Sequence, residues 1–557
     1  YKTVTRNVTL KKGKTLEEDF EIEEDAIALD GVVVSANRSE TTRRMAPTLV
    51  NVVDLKLFET TNSSTLSQGL NFQPGVRVET NCQNCGFQQV RINGLDGPYT
   101  QILIDSRPVF SALSGVYGLE QIPASMIERV EVMRGGGSAL FGSSAIAGTI
   151  NIITKEPLRN SGQLSHTITS LGGSSSFDNN TSLNASLVTD DHRAGLYIFG
   201  QNRYRSGYDY DGDGFTELPK LKNQTVGFRS YLKTSTYSKL TFEYHHMQEF
   251  RRGGDMLNRP PHEAHIAEQL QHSIDGGSLK FDYFSPDEKN RLSVFASAAN
   301  TDRDSYYGPG NDPLKAYGKT TDLTAMGGAQ YVHTFDKCFF MPSDLTAGLE
   351  YNRDRLKDNM WGYNRHTDQT VNIYSAFLQN EWKNDRWGIL IGGRLDKHNM
   401  VDNVIFSPRA NLRFNPTQNI NLRLSYSSGF RAPQAFDEDM HIENVGGTVA
   451  MIERAKDLKE EKSQSFSVSA DMYHRFGAFQ TNLLIEGFYT RLTDVFVLGK
   501  PYDRGDGILV KTRSNGPGAK VMGLTLEGKV AYLSILQIQA GLTLQRSRYD
   551  EPHKWHD

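Results

Sequence analysis

The 557-residue chain sets 61 Lys and Arg against 65 Asp and Glu, a near balance that excludes the broad basic field of a nucleic-acid binder. Its 3 cysteines are too few for a disulfide scaffold. No apolar run reaches the roughly 18 residues of a membrane-spanning helix, a test that β-barrels escape because their strands alternate.

The chain begins at Tyr1 with no basic, apolar leader, and is read as starting inside a longer, processed protein. Residues 1–28 alternate like the last strands of a small β-sandwich. The apolar stretch Leu29, Asp30, Gly31, Val32, Val33, Val34, Ser35 and Ala36 follows, with a linker to residue 45. Such a β-branched segment is either an ordinary edge strand or one that adds to a partner's open sheet edge.

Residues 46–156 read as a compact α+β unit. Ser63 or Ser64 is placed to cap a short helix carrying Leu66 and Leu70, which Pro74 and Gly75 end. Strands are expected over 89–94 and 100–105, and Pro123 opens another short helix. The run IERVEVMRGGGSALFGSSAIAGTINIITK, from Ile127 to Lys155, then alternates strand, Gly-rich turn and strand, giving a small mixed sheet.

From about residue 160 the period becomes two. Leu536, Ile538, Ala540, Leu542 and Leu544 share one face, with Gln537, Gln539, Thr543 and Gln545 opposite. Ile420 to Tyr426 and Leu524 to Val530 repeat the pattern. A soluble sandwich also alternates, but these segments run to 10 or so residues, against about 5–6 in soluble sheets. Short turns near 190, 237, 287 and 417 also fall between long loops. Both features fit a transmembrane antiparallel β-barrel, in which closure satisfies every backbone group within lipid. About 17 strands can be counted over 157–557, an odd number that points to further C-terminal strands.

The 127–155 run, with Gly75-Val76 and Arg91-Ile92-Asn93-Gly94, resembles the plug signature of TonB-dependent outer-membrane receptors. Leu29 to Ala36 stand where that family carries its TonB box. Residues 1–28 resemble the end of the carboxypeptidase-regulatory-like extension found in Bacteroidota members. The resemblance implies a barrel of about 22 strands, an N-terminal plug in its lumen, and a Gram-negative outer-membrane location. It also implies import of a large, scarce metal chelate powered through TonB and the proton-motive force, with outer-membrane lipid around the barrel and a surface lipoprotein as a lid. No catalytic residue is expected. A passive porin or a surface adhesin is the alternative.

Asp209, Asp211, Asp213 and Glu217 alternate with Gly212 and Gly214 like the opening of a calcium loop. Lys220 stands where an EF-hand has its twelfth-position Glu, so a loop calcium site is read rather than an EF-hand. Cys82 and Cys85 form a CxxC at the expected plug apex. It is readable as a redox pair, half a zinc site, or a disulfide stiffening an apical loop, and the oxidising compartment favours the disulfide. Neighbours Asn81, Asn84 and Phe87 are placed to meet ligand.

Phe430-Arg431-Ala432-Pro433 resembles the FRAP box of metal-chelate receptors, followed by a degenerate second box at Ala455 to Lys459. His441 lies between them, where haem receptors place an axial ligand, but residues 46–156 hold no histidine to oppose it. The loop with His262, Glu263, His265 and Glu268 lacks the HExxH spacing and is read as hydrated rather than metal-binding. Among ligands, cobalamin is favoured because cobalamin receptors carry calcium sites in their first long loops. Haem and ferric siderophores come next.

Overall fold

The period-two patterning after residue 160 becomes one antiparallel sheet of 17 strands among the described residues, from Ser161–Ser170 to Leu536–Tyr549. The computed structural model describes residues 8–9, 15, 19–20, 31–108, 119–309, 316–445, 448–533 and 535–551. The expected extension over 1–28 therefore falls almost wholly outside the described residues, as do Leu29 and Asp30.

Strands pair with their chain neighbours, except where outer loops carry strands of their own. Ile420–Arg431 pairs with Glu461–Phe476, and Phe479–Thr493 with Ala519–Tyr532. The sheet curls into a barrel that brings the first and last strands together. Those two strands are exposed along nearly their whole length, and no residue-by-residue ladder joins them among the described residues. With an odd number of alternating strands, the two at this seam run the same way.

The polarity of the wall is inverted relative to a soluble barrel. In Ile420–Arg431, Leu422 and Leu424 are 39% and 52% exposed on the outside, whereas Asn421 and Arg423 are buried in the lumen. An apolar exterior is stable only against lipid. Stacked Phe340 and Trp382, stacked Trp387 and Phe414, and the pair Phe479 and Tyr532 border the short turns as an interfacial aromatic girdle. Strands of up to 22 residues, such as Tyr317–Cys338, exceed the roughly 9–11 that cross a bilayer and project beyond it.

Inside lies the N-terminal unit. Strands β1 (Val50–Asp54), β2 (Val76–Cys82), β3 (Phe87–Ile92), β4 (Thr100–Ile104), β5 (Ile127–Arg134) and β6 (Gly148–Thr154) are joined by short helices. One sheet runs β1-β5-β6-β4, with β4 parallel to β6 and the other pairs antiparallel, while β2 and β3 form a separate hairpin. The helix Leu66–Leu70 forms as expected and buries both leucines, though Thr65 rather than a serine stands at its N-cap. Helix Leu55–Thr60 has no counterpart in the sequence reading. Asp54 caps it, its carboxylate accepting from Leu57 N–H at 2.9 Å. At Gly148, φ is +152° and a Cβ would sit 2.2 Å from the Met133 carbonyl, so β5 and β6 meet this closely only with glycine there.

Charge locks this unit into the lumen. Arg134 at the end of β5 bonds Glu486 at 2.9 Å and Glu527 at 2.8 Å on the wall. Asp105 bonds Arg229 at 2.6 Å. Glu120 meets Arg205, Arg251 and Arg203 at 2.7, 2.8 and 3.2 Å. Burial opposes the Glu120 charge, but the three guanidiniums prevail and hold its carboxyl far below the usual carboxylate range. Glu120→Gln removes the carboxylate that the plug offers to all three arginines, although Arg203 keeps Asp178 and Arg251 keeps Glu249 on the wall. The expected loss is about 3–5 kcal/mol of the plug's resistance to urea in detergent, read by proteolysis, with the barrel itself intact.

Candidate functional site

The β2–β3 hairpin carries the CxxC at its tip, and the tip touches the wall strand Ser238–Gly254. A Cβ on Gly253 would lie 1.9 Å from the Asn84 carbonyl, so the approach depends on glycine. Arg251 also donates to the Gly86 carbonyl at 3.3 Å.

This docking presents both sulfurs to residues from elsewhere in the chain. The Cys82 thiol donates to Glu268 Oε2 at 3.1 Å, near the outer end of the strand Ile266–Phe284. Cys85 Sγ lies 3.6 Å from His441 Nε2, which itself lies 3.5 Å from Glu268 Oε2. One ligand atom from each of these four residues falls within 4.8 Å of all the others. The rings of Phe87 and Tyr307 pack edge-on against His441 at 5.5 and 5.4 Å. Buried Ala267, Leu270 and Ile442 extend this apolar shell.

The expected disulfide is not formed: Cys82 and Cys85 are both in the thiol form. A hydrogen bond from Cys85 lowers the Cys82 pKa to about 6, with His441 adding to the effect against the cost of burial. Burial disfavours charge on His441, but the Glu268 carboxylate outweighs it and raises the imidazole to about 10, helped by Cys82.

The other expected contact residues divide. Asn81 is exposed, Asn84 is half-buried against Gly253, and Phe87 is buried as a wall for His441 rather than facing open space. Arg431 is also buried. Glu438 and Glu461 pair with it, and its guanidinium covers Phe436, Phe496 and Tyr99 at 4.3, 5.2 and 5.7 Å. It therefore ties the outer loop at Glu438 to the wall at Glu461 and to Tyr99 of the plug. Glu268, read as part of a hydrated loop, turns inward beneath that loop and is only 3% exposed.

Of the acidic loop, Asp209, Asp211 and Glu217 bring carboxylate oxygens together. Asp213 does not join them; its carboxylate accepts from Phe215 N–H at 2.8 Å. Asp209 accepts from Gly212 and Gly214 N–H at 2.7 and 2.9 Å, which is how the two glycines, both at positive φ, shape the loop.

At the opposite end of the plug, the segment read as a partner-binding strand is docked. Val32–Val33 pairs with Thr41–Thr42, and Val33, Ser35 and Ala36 are fully buried. The Val34 N–H, Ser35 N–H and Ser35 hydroxyl all donate to Glu131 Oε2, at 2.9, 2.8 and 2.8 Å. Asn151 of β6 donates to Ser35 Oγ at 3.0 Å, and wall residue Arg409 to the Ala36 carbonyl at 2.9 Å. Glu131 carried no signal of this role in the sequence beyond being a carboxylate inside an apolar strand.

Known proteins agree with this architecture. Residues 149–555 match the model of the TonB dependent receptor-like β-barrel, and residues 42–149 the TonB-dependent receptor plug domain. The chain belongs to the TonB-dependent receptor family. Like other members, this TonB-dependent receptor is an outer-membrane β-barrel. It is 24% identical over 425 residues to the vitamin B12 transporter BtuB of Vibrio vulnificus strain CMCP6, an alignment spanning 73% of the chain and 64% of that relative. Against the vitamin B12 transporter of strain YJ016 it is 33% identical over 174 residues, 30% of the chain and 28% of the relative. The chain thus spans less than two thirds of these curated relatives. The siderophore receptor PirA of Pseudomonas aeruginosa shares the fold at a TM-score of 0.72 and 17% identity, covering 90% of the chain and 85% of that structure. The alcaligin receptor FauA of Bordetella pertussis does so at 0.68 and 15%, covering 96% and 87%.

If the hairpin tip depends on the bare backbone of Gly253, Gly253→Val lifts it from the wall. Cys85, now almost fully buried, is then expected to react with a thiol-alkylating reagent at least about 10-fold faster in the folded receptor, a change of about 1.4 kcal/mol in local opening.

Proposed function

We propose that this receptor imports a large metal-containing ligand across the outer membrane, driven by TonB. The observation that carries the reading is the docked segment 31–36, held beneath the plug through three hydrogen bonds to one carboxylate of the central sheet, with Asn151 and Arg409 adding one each. A short β-branched strand, stored but not covalently fixed, is suited to capture by a partner's sheet edge. Force applied there loads Glu131 in β5, the strand whose last residue, Arg134, holds the wall through Glu486 and Glu527. Pulling on the segment therefore loads the ion pairs that close the lumen. A passive porin has no use for such a strand, and a folded plug blocks free diffusion.

For the ligand, the sequence likeness to vitamin B12 transporters favours a cobalamin-sized metal chelate over a ferric siderophore. Calcium at Asp209, Asp211 and Glu217 fits the same reading, its remaining oxygens coming from backbone and water. A surface lipoprotein closing the outer mouth belongs to this proposal too.

Deleting residues 31–36 is expected to reduce uptake to background while leaving ligand binding to whole cells unchanged. Uptake that survives the deletion contradicts energy coupling through this segment. Glu131→Ala removes the shared acceptor, each lost bond to a charged partner being worth about 1.5–3 kcal/mol. A Ser35→Cys reporter should then label at least about 10-fold faster from the periplasmic side than in a Glu131 background. Calcium-stripped receptor titrated with calcium in a calorimeter should show uptake that Asp209→Asn with Asp211→Asn abolishes.

A further inference from the structure

The four groups gathered at the plug apex are more than a hydrogen-bonded cluster. They come from three separate parts of the chain: the hairpin tip, the outer end of a wall strand and a long outer loop. Two sulfurs, an imidazole nitrogen and a carboxylate oxygen converge in an apolar shell where an uncompensated charge is costly. We propose that Cys82, Cys85, His441 and Glu268 form a binding site for a borderline-soft divalent metal ion of the zinc class, coordinated directly by the receptor.

The geometry fits that ion. Zinc binds thiolate sulfur at about 2.3 Å and imidazole nitrogen or carboxylate oxygen at about 2.0–2.2 Å, so the edges of a tetrahedral site measure about 3.4–3.8 Å. The observed separations of 3.6 Å from Cys85 Sγ to His441 Nε2 and 3.5 Å from His441 Nε2 to Glu268 Oε2 are such edges. That from Cys82 Sγ to Glu268 Oε2, 3.1 Å, is slightly shorter. A bound metal opens this edge to about 3.6 Å, a side-chain shift of about half an ångström. The donor set also selects. Thiolate and imidazole favour zinc-class ions over calcium and magnesium, which take the oxygen donors of the Asp209 loop instead.

A metal here joins the plug to the outer loop. Cys82 and Cys85 ride on the plug, whereas Glu268 and His441 belong to the barrel and its loop, so ligation ties the two bodies and plug movement separates the donors. This deepens the import reading, on which it rests only for the consequence in transport. The ion is a latch between plug and outer loop, separate from the imported chelate, and sits on groups that plug movement would part.

The full chain, purified in detergent, reduced and stripped of metal, should bind one zinc ion in competition with a chromophoric chelator. Cobalt in its place should give the intense visible bands and the thiolate charge-transfer band of a tetrahedral sulfur site. Cys82→Ser with Cys85→Ser, and His441→Ala, should each weaken zinc binding at least about 100-fold, and Glu268→Gln about 10-fold. Zinc should also protect Cys82 and Cys85 of the unaltered receptor from alkylation, a readout that requires no variant to fold. Cobalt spectra without thiolate bands, cysteines alkylated equally with and without zinc, or a Cys82–Cys85 disulfide in the isolated receptor would each overturn the site. Zinc bound as expected by a receptor that shows no TonB-dependent uptake of a chelate contradicts the import reading alone. TonB-dependent uptake of a chelate by a receptor that binds no zinc contradicts this inference alone.

Discussion

A charged lumen cannot stay closed by apolar packing alone, and the fold of this receptor follows from that constraint. Lipid takes the apolar side chains on the outside of the wall, so the polar half of every strand faces inward. Arg203, Arg251, Arg303 and Arg413 are fully enclosed there, as are Asp471 and Glu461. The plug fits because it supplies further partners, Arg134 to two wall glutamates and Glu120 to Arg205, Arg203 and Arg251, the last two also paired with Asp178 and Glu249 of the wall. Buried pairs of this kind add little net stability when complete but cost several kcal/mol when broken. Such an interface is specific in register, and wall residues Tyr197, Phe199, Phe488 and Leu492 add apolar contact with the plug core beside it.

The same residues tie the two ends of the plug together. β5 holds Glu131, which fixes the docked segment, and ends at Arg134, which fixes the wall. β6 is bonded along β5 and contributes Asn151 to the same segment. At the far end, the β2–β3 hairpin leans on Gly253 and carries the two thiols to the barrel's histidine and glutamate. The hairpin is a separate sheet, and Arg134 at the end of β5 ties it in by donating to the Pro74 carbonyl at 3.0 Å, just before β2. A change of coordination above and a pull from below therefore act on one body.

Much of this was legible in the sequence where a single periodicity decides the structure. Alternation in Ile420–Arg431 and Ala519–Tyr532 reveals the inverted wall because each side chain has only two faces to choose between. The plug run from Ile127 to Lys155 is equally plain, its apolar strands separated by glycines that only tight turns require. Tertiary pairing is another matter. Nothing local distinguishes Arg431, spent on Glu438 and Glu461, from an arginine that greets a ligand. The sulfurs at Cys82 and Cys85 read as a disulfide because their spacing allows one and the completing donors stand about 180 and 350 residues away, at Glu268 and His441. Glu131 was invisible for a related reason. A carboxylate inside an apolar strand announces a buried partner without naming it.

On the proposed import, the polar contacts that hold the plug inside the lumen must open for transport. Asn51 of β1 donates to Glu527 of the wall at 3.0 Å, and replacing both, Asn51→Cys with Glu527→Cys, tests this directly. In intact outer membranes of cells expressing the full receptor, the two cysteines should cross-link under mild oxidation, stopping uptake until a reductant restores it. If no cross-link forms, or if the cross-linked receptor imports its ligand at the normal rate, the plug is not held, or does not move, as described.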